Sequence, residues 1–330
     1  MSNFCTLSQQ ARRNALPKIG LKVQKIAHFC LKAAQAVLPC AVMGEFRGTI
    51  SYATRTRRLK AGSLIRVISG IYWEGELESP AAVTELLAAL TRHGYALTAV
   101  SLYQFYCSQP ISLPVHVSTE RRITSTKYVV AHHVKRLRTV EVRGVCTECG
   151  VDAVKHLPDR QAIALLDVAY SGRHGSAVLR RESPMRVSAR VKTLVDRAAV
   201  GADSVPERIL VRALREAGLE CTSNFRVGVY FWDVKLRDYN IVIEVDGYFY
   251  HNAGAENKNT FVNDRWKMND AAVRGYLVLR YPASSVFEEL DTIVGQVIFA
   301  TRVVREELVV VDSTRRWHRG PWEWLPLDSW

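Results

Sequence analysis

The sequence predicts a multidomain chain of mixed α/β (α+β) class. Three observations carry that expectation. The first is length: 330 residues, 48% apolar and 23% charged, are enough for two or three domains, each with its own core. The second is a front segment in which short helical periodicities give way to an alternating hairpin. The third is a rear segment that reads helix, strand, strand, helix, strand. The composition excludes disordered, collagen-like and small disulfide-scaffold classes. Seven cysteines without framework spacing suit a reducing cytoplasm, the expected location. No stretch reaches the roughly 20 apolar residues of a membrane span, so no membrane partner is expected. The apolar run 33–44 behind a basic lead is broken by Lys32 and Pro39, unlike a secretory signal.

From the front, apolar residues recur at helical spacing over 21–37, and Pro39 ends the run. A second short helix is expected over 52–61, with Gly62 as its stop. It carries Arg55, Arg57, Arg58 and Lys60. Residues 64–73 then alternate like a hairpin turning at Ser69-Gly70, with Arg66 on its first strand. Short helices ending in a basic one, then a small hairpin, outline a winged helix-turn-helix, which lays its basic helix in a DNA major groove. Charge points the same way. Of the net +13, residues 1–73 hold +11, residues 74–202 hold +5, residues 203–312 hold −4 and residues 313–330 hold +1. A basic block of that density suits a polyanion, and double-stranded DNA is the expected partner.

Further on, Ser79-Pro80 reads as an N-cap and first-turn pair for a helix reaching about His93. Strands are expected over 114–118, 128–133 and 140–146, and a helix over 160–169. Residues 172–188, rich in Gly, Ser and Arg, read as a linker. The pair Cys146 and Cys149 has zinc-ligand spacing, but a structural site wants four ligands. Only His132, His133 and His156 could help, so no zinc is expected. The domain expectation is therefore 1–75 basic winged helix, 76–200 mixed α/β, 201–312 a further α/β domain, and 313–330 a tail with four of the seven tryptophans.

The chemistry concentrates in 204–281. Ser204-Val-Pro-Glu207 opens an amphipathic helix as a capping box, which gives Glu207 a structural explanation. Residues 225–236 read as one strand with Val227, Val229, Phe231 and Asp233 on a shared face. A turn at Arg237-Asp238 leads into 240–247, where Val242, Glu244 and Asp246 point together. A hairpin brings Asp233 toward Glu244 and Asp246. Buried carboxylates are costly unless compensated; an oxygen-ligated divalent cation is one remedy, and ion pairs to Lys235, Arg226 or Arg265 are the other. His251 follows the acids, within reach of a general acid–base role or simply on the surface. A helix through Ala271 and a strand over 276–281 complete the segment.

On Glu207, Asp233, Ile243-Glu-Val-Asp-Gly-Tyr-Phe-Tyr-His251, Asp264-Arg265 and Gly275-Tyr-Leu-Val-Leu-Arg280, residues 204–290 resemble the Vsr-like (very short patch repair) endonuclease domains, of the domain-of-unknown-function 559 type. These belong to the PD-(D/E)XK restriction-endonuclease-like superfamily. The resemblance implies that Asp233, Glu244 and Asp246 hold a catalytic Mg²⁺ (or Mn²⁺). It further implies that His251 works on the attacking water or the leaving group, that Glu207 is an outer acid, and that Asp264 and Arg265 support the site. Asp246 stands where the superfamily usually has a lysine, which Vsr-like members also lack. Residues 57–72, with Pro114-Val-His-Val-Ser118 and Val142-Arg-Gly-Val145, resemble AbiEi-type antitoxin and regulator proteins, which implies a winged helix. The sequence thus anticipates a Mg²⁺-dependent endodeoxyribonuclease targeted to duplex DNA. The alternative is an antitoxin-like transcriptional regulator with a non-catalytic nuclease-like domain.

Overall fold

The computed structural model describes residues 44–46, 48, 50–183, 186–247 and 255–305. The helix expected over 21–37, His251 and the tryptophan-rich tail lie outside them. Residue contacts divide the chain at Met43/Gly44. Among the described residues, helices and three sheets alternate, giving the mixed α/β class expected. No helix of the described residues is long and apolar enough to cross a membrane.

Helix α1 (Tyr52–Lys60) starts at Ser51, whose Oγ accepts from Thr54 N at 3.1 Å, and ends before Gly62 at φ +73°. Strands β1 (Ile65–Ile68) and β2 (Ile71–Trp73) form the antiparallel hairpin about Ser69-Gly70. Helix α2 (Pro80–Arg92) is capped by Ser79, with Pro80 in its first turn. Strand β3 (Ala96–Leu97) and helix α3 (Ala99–Tyr106) follow, then β4 (Val115–Thr119), β5 (Val129–His133), β6 (Thr139–Val142) and β7 (Val145–Glu148). These five strands form one sheet in the order β5-β4-β3-β7-β6. Helices α4 (Gly150–Ala153), α5 (Asp159–Ala169), α6 (Gly175–Glu182) and α7 (Ala189–Arg197) pack after it. Val67, Ile68, Ile71 and Trp73 of the hairpin share one core with this sheet and its helices, up to Ala198.

Two expectations are corrected here. The single strand expected over 140–146 is a hairpin, because Arg143 and Gly144 both take positive φ (51° and 75°) and reverse the chain. The linker expected over 172–188 contains α6. Gly175 is there for close approach rather than flexibility: a Cβ at that position would stand 1.9 Å from the Tyr170 carbonyl oxygen.

A second core begins at Ala199. Helix α8 (Val205–Glu216) precedes the meander β8 (Cys221–Val227), β9 (Tyr230–Leu236) and β10 (Ile241–Asp246). Helix α9 (Ala255–Val273) then crosses to β11 (Leu277–Pro282), which pairs with β10 in parallel. Helices α10 (Ala283–Glu288) and α11 (Leu290–Val304) close the unit. The sheet order is β11-β10-β9-β8. The one strand expected over 225–236 is also a hairpin: Gly228, at φ +58°, turns β8 into β9 and leaves Val229 69% exposed.

Candidate functional site

The candidate site is built where the β9 ladder becomes irregular. Toward β8, the rung at Asp233 is missing and Asn224 opposite takes φ +49°. Toward β10, paired rungs stop at Ile243↔Val234. The next pair would be Glu244 with Asp233, but there the Val245 N–H donates to Asp233 Oδ2 at 2.7 Å. Regular alternation breaks at this point. Val234 and Leu236 enter one core with Ile243, whereas Trp232, two residues from Val234, enters another with Val242 and Ala271. The shared face expected for Val227, Val229, Phe231 and Asp233 is therefore not formed, since a turn and a broken rung intervene.

The electrostatics of the site are repulsive. Burial pushes the Asp233 carboxyl up to about 8, and the carboxylates of Glu244 and Glu207 push it the same way. Burial also raises Glu244. Glu207 is 5% exposed and is raised chiefly by burial. It keeps its capping role as well: its N–H donates to Ser204 Oγ at 3.3 Å, and its Oε2 accepts from Asp203 N at 2.8 Å. The same side chain thus caps α8 and presses on Asp233.

Lys267 of α9 was not anticipated from the sequence. Its Nζ donates to Glu244 Oε2 at 2.5 Å and lies 4.5 Å from the Trp232 ring centroid. The two paired side chains are only 16% and 20% exposed, so this pair is poorly screened by solvent. A cation is therefore present at the acids, supplied by helix α9. Arg280, on β11, was quoted only within the resemblance. It grips Asp246 with two hydrogen bonds, Nε to Oδ2 at 3.0 Å and Nη2 to Oδ1 at 2.6 Å, and reaches Asp264 Oδ2 at 3.2 Å. The structure brings Asp233, Glu244 and Glu207 together, while Asp246 joins Asp264 in an ion triad on Arg280. Arg265 is exposed.

Among the described residues, no group of three or more His, Cys, Asp or Glu side chains could hold a metal ion. The donor chemistry of Asp233 and Glu244 nonetheless fits a divalent cation: two half-buried oxygen donors repel each other, and a hard cation relieves that repulsion. At Cys146 and Cys149 the chemistry is different. Burial raises both thiols, Cys149 to about 11. His132 stacks between His116 and His156 instead, at centroid distances of 5.3 and 4.3 Å.

On α1 and its hairpin, Arg57, Lys60 and Arg66 are exposed. Arg55 packs over Tyr52 and Tyr72 at 5.6 and 5.4 Å. Arg58 is tied down, paired with Glu74 and stacked over Phe46 at 5.3 Å.

No family model matches the chain, and no curated protein matches it. Among solved structures, part of the chain is similar to the Homing Endonuclease I-Bth0305I Catalytic Domain. The two are 22% identical over 31% of this chain and 99% of that one, with a TM-score of 0.25.

Proposed function

We propose that this chain is a Mg²⁺- or Mn²⁺-dependent endodeoxyribonuclease whose basic front acts as a winged helix on duplex DNA. The observation that carries the reading is the pair Asp233 and Glu244, backed by Glu207, brought together so that burial and mutual repulsion raise the Asp233 carboxyl. Keeping such mutually repelling carboxylates half-buried costs stability, and relief by a cation gives that cost a chemical purpose. Asp233 and Glu244 would hold the cation, and Asp246 would contribute only on release from Arg280. When bound, the metal supplies a more acidic water and charge stabilisation at the scissile phosphate.

The chain's own residues do the rest. Glu207 sustains the negative field that favours cation binding at Asp233. Lys267, beside Glu244, presents an ammonium toward charge developing on the phosphate. His251, outside the described residues, is assigned the transfer of a proton from the attacking water or to the leaving oxygen. Arg57, Lys60 and Arg66 contact the DNA backbone from α1 and the hairpin.

The test is incubation of the full chain with supercoiled plasmid, with Mg²⁺ or with chelator, beside Asp233→Ala. Metal-dependent nicking by the wild type alone is expected. Equal cutting by the variant would overturn the site. The alternative, a non-catalytic DNA-binding regulator, draws on Arg280's hold on Asp246, which leaves two carboxylates for a metal. Tight DNA binding with no cutting under any metal would favour it.

A further inference from the structure

Helix α8, whose Glu207 serves the carboxylates, also takes part in a second charged feature. A cleft of about 760 Å³ is lined by Arg160 of α5, Arg197 of α7, and Arg208 and Arg212 of α8. Its apolar floor includes Ile163 and Val168. Two of the four arginines are compensated. Arg212 pairs with Asp167, whose side chain is 5% exposed, and Arg197 lies 3.8 Å from Asp159. Arg160 and Arg208 have no ion-pair partner among the described residues. Four guanidinium groups from three helices, with the carboxylates of Asp159 and Asp167, thus line one open space with more positive than negative charge. Like charges held together in that way favour an external anion, and Arg is the residue whose planar fork best matches phosphate oxygens.

The position of the cleft selects the anion. Arg208 directly follows Glu207, so one helix carries both the acid behind Asp233 and a wall of the cleft. The segment holding the carboxylates, 203–312, is net −4, while 74–202 is net +5. A polyanion approaching the carboxylates meets repulsion from that segment, and the arginines from α5 and α7 supply attraction one helix away.

We propose that this cleft holds the phosphodiester backbone of the duplex whose cleavage is assigned to the carboxylate site. The inference rests on that functional reading and adds a second DNA contact to it, independent of α1. Arg160 and Arg208 contact phosphate oxygens, and Ile163 and Val168 pack against the sugar edge.

The experiment uses the full chain, a 30-base-pair duplex and chelator for binding, and plasmid with Mg²⁺ for cleavage. Arg160→Gln/Arg208→Gln should keep the wild-type melting temperature, because neither residue is paired. It should flatten the plot of log affinity against log salt by about 1.8, from two lost phosphate contacts at about 0.9 each. Its cleavage should show a raised KM with kcat within about threefold. Arg160→Lys/Arg208→Lys should recover most of the slope, and Arg160→Gln alone, with an expected flattening of about 0.9, replaces the double variant if that one fails to fold. A wild type that binds and cuts beside a glutamine variant of unchanged slope overturns the cleft assignment alone. A wild type that neither binds nor cuts overturns this inference and the functional reading together. Arginine-dependent thermal stabilisation by tripolyphosphate, with an unchanged duplex slope, also overturns it and makes the ligand a small free anion.

Discussion

Asp233→Asn should make the fold more stable in chelator near neutral pH, although it removes the central acid of the site. The carboxyl's ordinary value is 3.8, and in the fold it is raised to about 8 by burial, Glu244 and Glu207. Between these values the folded chain keeps a proton that the unfolded chain has released. The group's contribution is therefore most favourable below about pH 4 and is progressively lost as the pH rises toward 8. Each pH unit in that window is worth about 1.4 kcal/mol, which sets a ceiling of about 4 kcal/mol at pH 7. Glu244 and Glu207 can take up part of the strain by shifting their own ionisation, so the expected gain is about 1–3 kcal/mol. Asparagine keeps an oxygen to accept the Val245 N–H, which isolates the charge from the hydrogen bond. The assay is denaturant unfolding at pH 5, 7 and 8 with chelator. The wild type should lose stability with rising pH, and the variant should show a flatter dependence and a higher midpoint at pH 7. Adding Mg²⁺ should stabilise the wild type, by about 2.7 kcal/mol at one hundred times its dissociation constant, and leave the variant nearly unmoved. A variant less stable than wild type at pH 7, or one with the same pH slope, would refute the reasoning.

Lys267→Met should cost about 1–3 kcal/mol, below the 3–5 typical of a fully buried pair because both side chains keep some exposure. Adding Glu244→Gln should restore much of the loss, and additive effects in that double-mutant cycle would deny the pair. Arg58→Ala should lower stability by about 0.5–1.5 kcal/mol through loss of the Glu74 pair and the Phe46 stack, with only a small change in the salt dependence of DNA binding. Arg57→Ala/Lys60→Ala should do the reverse, leaving the melting temperature in place and flattening the salt slope by about 1.8; an unaltered slope would remove α1 from the DNA contact. His251→Ala should slow plasmid cleavage by about 10²–10⁴-fold with duplex affinity retained, and an unchanged rate would return His251 to a surface role.

The parts of the fold legible in the sequence were those written in local chemistry. Ser51, Ser79 and Ser204 each cap a helix through the side-chain oxygen, and Gly62, Gly94, Gly218 and Gly275 follow the helices they end with positive φ. What misled was alternation. A two-residue turn such as Arg143-Gly144 or Gly228-Val229 pairs residues three apart (Val142↔Val145, Val227↔Tyr230), so a period-two pattern carried across the turn assigns the second strand to the wrong face. In both places the glycine carried the correct signal. Glycine misled in the other direction near α6, where Gly172 and Gly175 suggested a loose linker. Gly175 instead allows α6 to start hard against the Tyr170 carbonyl oxygen.

At the site, the acids were legible because carboxylates inside an Ile/Val strand are conspicuous. Their counter-charges were not, because partners 23 and 34 residues away in sequence meet only through the crossover of α9 and the parallel pairing of β11. One signal for Lys267 was present. Asp264, Lys267, Met268 and Ala271 follow the i, i+3, i+4, i+7 spacing of a single helix stripe. Met268 and Ala271 pack with Trp232 and Val242, so that stripe faces the sheet at the level of the acids. A lysine on an otherwise sheet-facing stripe needs a buried anion, and the strand it faces offers Glu244. Lys267 thus brings a positive charge to Glu244 from the helix. The rule that finds it is one of charge balance across packed elements rather than spacing along one of them.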